Sequence, residues 1–124
     1  MNLFALHEAW AWVVVFANAL AGLWGLAAHA WSAFRLRALW WFIGFAEVAI
    51  FVQVCLGVAM VAGQGRQPAQ FHMFYGFVAL LAIAIIYSYR QQLQQHRYLL
   101  YGLGSLFLMG LGIRAMLVGA TPPA

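Results

Sequence analysis

Residues 47–76 read EVAIFVQVCLGVAMVAGQGRQPAQFHMFYG. Two apolar runs flank a short polar turn holding Gly63, Gly65 and Pro68, and isolated polar groups sit inside them: Glu47 and Gln53 before the turn, His72 after it. Unbroken apolarity, without the alternation of a barrel strand, describes helices whose solvent is lipid. The same pattern recurs on both sides of this segment. Charges and turn residues mark off four apolar runs, at about 8–34, 38–63, 71–90 and 98–118, and the polar run RQQLQQHR is expected to extend the third helix beyond the bilayer to 97. Each run is long enough for a helix rising ~1.5 Å per residue to cross a hydrocarbon core of about 30 Å. The expected fold is all-α: a polytopic membrane protein of one domain, built as a four-transmembrane-helix up-down bundle.

Composition agrees. The chain is 67% hydrophobic and 6% charged, whereas soluble domains are about one quarter charged. The lipid bilayer is therefore its first partner. The net charge of +4 comes from six arginines against Glu8 and Glu47, and the arginines are spread between apolar runs. That is a topology signal, and it excludes nucleic-acid binding as a function class. Arg35 and Arg37 fall in the first connection, Arg66 alone in the second, and Arg90 and Arg97 flank the third. Positive connections stay in the cytoplasm. Both termini are thus expected outside a bacterial-type inner membrane, with loops 35–37 and 90–97 inside. The first run lacks a basic leader and is too long for a signal-peptide core, so Met1 is expected near the mature N-terminus. Residues 121–124, TPPA, end the last helix. Cys55, the single cysteine, excludes an intramolecular disulfide and reads as a small core residue.

The polar residues inside the runs are the functional candidates. On helix 1, His7, Asn18 and His29 recur every eleven residues, a step that advances only about 20° around a helix, so they share one face. Ala11, Gly22 and Gly25 fall on that side too, which points first to close helix packing and second to ligand lining. The six tryptophans read mainly as interfacial anchors. On helix 2, Glu47 lies near mid-membrane, where a charge costs roughly 2.5–3.5 kcal/mol. It either carries its proton or has a partner; an interhelical hydrogen bond and a proton-relay or quinone contact are both open. Gln53 lies about 120° away around the helix and needs a different partner. Helix 3 presents His72, Gly76, Ala79, Ile83, Ile86 and Arg90 on one face. Helix 4 carries Gly102, Gly104, Gly110 and Gly112, which suit close packing, and Arg114, which either reaches the outer headgroups or faces the bundle and holds an anionic group.

Helices 1 and 3 run in the same direction, so His7 and His72 fall at the same end of the bundle, with Arg114 near them. Two imidazoles from two helices are a usual way to hold a six-coordinate haem b, and an arginine suits its propionates. With helix midpoints near 20 and 80, His7 lies 13 residues outward and His72 lies 8. The depth mismatch is about 7–8 Å, so a shared iron requires helix 1 to shift or tilt. His29 and His96 form a second pair at the other end, less suited to haem because His96 lies in the polar run. No Cys-x2-Cys, His-x3-His or nucleophile–base spacing occurs, so nothing marks the chain as an enzyme on its own.

The order Gln53-x3-Gly57, a short Pro-containing turn, then His72-x3-Gly76 resembles the corresponding helix pair in one half of heme A synthase and, more loosely, in other small four-helix membrane cytochromes. The resemblance covers about a quarter of the chain. It implies that His72 is an axial haem ligand and that its partner comes from the helix two before, which makes His7 the candidate. Heme A synthase has two such halves and more ligand histidines, so oxidation of a bound haem is not implied by this one. Two functions are therefore expected. One is an electron-transfer protein of respiratory type, with His72 and His7 on haem b, Arg114 on the propionates and Glu47 as proton or quinone contact. The other is a non-catalytic accessory subunit that packs through its Gly/Ala faces against other membrane subunits or a second copy of itself.

Overall fold

The structure is a computed structural model that describes residues 2–65 and 67–119. Met1, Arg66 and the expected helix-ending segment 121–124 lie outside the described residues. Four helices follow in order: α1 (Leu3–Ala30), α2 (Arg37–Gln64), α3 (Gln70–Ser88) and α4 (Arg97–Gly119). Single 3-10 turns at Ser32–Phe34 and Gln94–His96 lead into α2 and α4, and no strand occurs among the described residues. Four helical segments are long and apolar enough to cross a membrane.

The boundaries differ from the sequence reading at two helices, for local reasons. α1 begins five residues earlier than expected, because Asn2 acts as its N-cap: Oδ1 accepts from the Ala5 N–H at 2.7 Å. It also ends earlier, at Ala30. There Arg35 folds back, donating from Nε to the Ala28 carbonyl at 2.7 Å and from Nη2 to the His29 carbonyl at 3.2 Å. A cation thus satisfies carbonyls that a helix end leaves free. α3 stops at Ser88, so the polar run does not extend it as a helix. The Tyr89 N–H is shared between the Ile85 and Ile86 carbonyls, the chain turns over 89–93, and the Arg90 guanidinium lies 3.8 Å from the Tyr87 ring centre. α2 ends where the turn residues predict, on Gly65 at φ 66°, a left-handed conformation that glycine adopts without cost.

Neighbouring helices are antiparallel. Along α1 and α2, His7 meets Gln53, and Asn18 meets Ala46; along α3 and α4, His72 meets Ala115, and Ile86 meets Gly104. α1 packs on both α2 and α4, and α3 packs on α4, but the consecutive α2 and α3 meet only sparsely. The result is an up-down bundle closed tightly along α1/α4 and splayed along α2/α3. Glycine makes the tight edge. A Cβ on Gly102 would lie 2.8 Å from the Leu26 nitrogen and 3.1 Å from the Gly25 carbonyl carbon, so the two backbones touch.

One core cluster draws on all four helices, with Val14, Ile50, Ile83 and Leu108 among its members. A second, nearer the α1/α2 connection, holds Ala21, Leu39, Ile43 and Ala46. The periphery is apolar: Trp41 is 78% exposed and Phe16 65%, a surface suited to lipid. Cys55 is exposed, not a core residue as expected; α2 is apolar on all sides, so its sequence does not say which face turns inward. Only Trp12, Trp31 and Trp41 are exposed indoles. Trp10 donates to the Ala49 carbonyl at 2.8 Å, Trp24 to the Phe34 carbonyl at 3.0 Å, and Trp40 packs against Tyr98 and Tyr101. These three stitch helices together.

Candidate functional site

The first turns of α1 and α3 bring His7 and His72 together, with ring centres 5.8 Å apart and planes at 77°. The earlier start and end of α1 roughly halve the depth mismatch. Its midpoint falls near residue 16.5 and that of α3 at 79, which leaves the two histidines about 4 Å apart in depth at ~1.5 Å per residue. Neither ring is free to wander. His72 Nδ1 lies 2.8 Å from the Ala115 carbonyl in the last turn of α4. A carbonyl only accepts, so Nδ1 carries the hydrogen and Nε2 of the neutral ring keeps its lone pair. Gly119 makes room for this contact: a Cβ there would fall 2.6 Å from His72 Nδ1.

His7 is held through its backbone, whose carbonyl accepts from Gln53 Nε2 at 2.7 Å. Its Nδ1 is buried without a hydrogen-bond partner, and so is Gln53 Oε1. One turn along α2 from Gln53, Gly57 opens a space beside this ring. A Cβ there would meet only His7, at 3.4 Å from Cε1 and 4.0 Å from Nδ1. Gly76, one turn after His72, likewise has nothing within 4 Å of a Cβ position. Gln53 and Gly57 thus flank His7 from α2, while Gly76 leaves open space one turn after His72.

The arrangement can be tested against a haem held between two imidazoles. Metal–nitrogen bonds of about 2 Å place such ring centres roughly 6 Å apart, close to the 5.8 Å found. The carbonyl-bound Nδ1 of His72 is the usual second contact of a metal-bound histidine, and the orphaned Nδ1 of His7 beside the Gly57 space marks a polar group that lacks a partner. The separation of the two rings is compatible with such a pair. Arg114, next to Ala115 in the chain, is exposed and makes no hydrogen bond or ion pair among the described residues. No cluster of three or more His, Cys, Asp or Glu side chains suited to a metal ion occurs among the described residues.

The other polar residues inside the apolar helices lie apart. Asn18 is fully buried and donates from Nδ2 to the Val14 carbonyl at 2.9 Å and the Ala46 carbonyl at 3.3 Å, while its Oδ1 has no partner. It joins α1 to α2. Glu47 is half-buried and makes no hydrogen bond or ion pair among the described residues. Glu47→Leu is therefore expected to leave the bundle at least as stable as the wild type in detergent unfolding. A loss above about 1 kcal/mol, more than the average membrane hydrogen bond is worth, would reveal a structural partner.

His29 and His96 also approach, at 6.5 Å between ring centres, at the end of the bundle where the α1/α2 and α3/α4 connections lie. Sequence reasoning missed Ala115 and Gly119 altogether. A backbone acceptor has no residue type, although a glycine near the end of helix 4, level with the start of helix 3, was a readable signal. No protein-family model matches this chain, and neither a curated protein nor a solved structure is found to be similar to it.

Proposed function

We propose that this chain is an integral membrane protein of an electron-transfer system and that it binds haem b between α1 and α3, with His7 and His72 as axial ligands. The connections around 35–37 and 90–97 face the cytoplasm in this reading, and both chain ends face outward, following the positive charge. The observation that carries it is the 5.8 Å approach of two imidazoles from non-consecutive helices, one of them oriented by a backbone carbonyl. Haem b held in this way supplies one-electron redox chemistry. The chain's own part is to fix His72 through Ala115, to hold the His7 backbone through Gln53, and to leave space beside the rings at Gly57 and Gly76. Electrons would then pass to quinone or to neighbouring membrane subunits.

The test is a visible absorption spectrum of the purified full chain, reconstituted with haem b. One haem per chain with a reduced-form band of bis-histidine type supports the reading; a folded protein that stays colourless ends it. The reading that would then stand is an accessory subunit. The observation in its favour is that Gly44 and Gly110 have nothing within 4 Å of their Cβ positions, which leaves small-residue surfaces against which another helix can pack.

A further inference from the structure

A second site lies at the opposite end of the bundle and does not rest on the haem reading. A cavity of about 380 Å³ opens between the end of α1 and the start of α4, and His29, Arg35, His96, Arg97 and Tyr98 line it. Its charge is one-sided. Two guanidiniums and two imidazoles meet there with no acid among the lining residues, and of the chain's two acids Glu8 sits at the far end of α1 and Glu47 inside α2. Arg35 spends two of its five N–H donors on the Ala28 and His29 carbonyls, which leaves three for a ligand. The Arg97 guanidinium carbon is held 5.1 Å from the Tyr98 ring centre and 5.9 Å from that of Trp40. The first turn of α4, whose backbone N–H groups favour an anion, supplies the same sign of potential.

Next to this cavity runs an apolar groove of about 500 Å³ between α3 and α4, lined by Ile86, Leu93, Leu100, Leu103 and Phe107. His96 borders both spaces. A cationic pocket that continues through one shared residue into an apolar channel along the helices matches an amphiphile with an anionic head and a hydrocarbon tail.

We infer that this end of the bundle binds an anionic phospholipid, with its phosphate between Arg35 and Arg97 and an acyl chain along the α3/α4 groove. Charge complementarity selects the anionic lipid over a zwitterionic one, and the adjoining groove selects a lipid over a free anion.

Native mass spectrometry of the full chain released from detergent tests this, with phosphatidylglycerol, phosphatidylcholine and inorganic phosphate offered separately. One phosphatidylglycerol is expected to be retained per chain, at least roughly tenfold in preference to phosphatidylcholine, since each basic residue is worth about fivefold toward an anionic lipid. Arg97→Gln should cut that preference about fivefold. Leu103→Trp, which fills the groove without changing charge, should lower phosphatidylglycerol retention while helix content stays unchanged by circular dichroism. Equal retention of the two lipids, or retention unaffected by both substitutions, overturns the proposal. Inorganic phosphate that binds as tightly as phosphatidylglycerol and is indifferent to Leu103→Trp also overturns it, and reassigns the cavity to a free anion.

Discussion

Gly102→Leu is expected to destabilise the bundle by roughly 3 kcal/mol or more, at the upper end of what overpacking costs. The reason is the kind of atom the new side chain would strike. At Gly102 a Cβ meets the Leu26 nitrogen at 2.8 Å and the Gly25 carbonyl carbon at 3.1 Å, and helix backbone yields only if the whole helix moves. Moving it would undo the α1/α4 contact along its length. Gly104 makes the control: a Cβ there meets the Cδ1 of Ile86 at 2.7 Å, the end of a side chain that can rotate away, so Gly104→Ala should cost about 1 kcal/mol or less. Gly110→Leu, with open space around it, should be close to neutral. Unfolding followed by circular dichroism, from a mild detergent into a denaturing one, measures all three. Wild-type stability in Gly102→Leu would mean that α1 and α4 do not meet at this point.

The second large effect concerns the imidazole pair. On the proposed reading, His72→Ala and His7→Ala each abolish the bis-histidine spectrum completely, since each removes one of two axial ligands. Misfolding would give the same loss, so the decisive step is rescue. Imidazole added to either variant is expected to restore the band, because the truncated side chain leaves a space of that shape and the other histidine remains in place. Gly119→Leu should act indirectly. Its Cβ would fall against His72 Nδ1, break the contact with Ala115 and weaken haem retention while both ligands are still present. A spectrum unchanged in His72→Ala would remove His72 from the site.

The four helices were legible because each is an apolar run long enough to cross a membrane, set off from the next by arginine or polar turn residues. The placement of His7 and His72 at one end followed from the same counting. What the runs do not encode is which helices touch. Gly22, Gly25 and Gly102 are recognisable as small-residue faces, yet nothing in their spacing says that they face one another. The start of α1 was misplaced because Glu8 drew the boundary, whereas the signal was Asn2, a capping side chain ahead of an apolar run. Arg35 was legible as a charge in the first connection and illegible as a helix cap, because its partners are the carbonyls of Ala28 and His29, which sequence does not name. The basic cavity was legible only in part: His29 and His96 were paired at that end, but Arg35 and Arg97 join them only once α1 and α4 have packed.

The splayed α2/α3 edge and the pinched α1/α4 edge leave the two hairpins joined chiefly through one helix. α1 and α2 pack on each other, whereas α3 meets little of α2 and is held to the bundle mainly through α4. α4 is therefore the element that locks both hairpins together: without it the described helices reduce to an α1/α2 hairpin and an α3 that barely touches it.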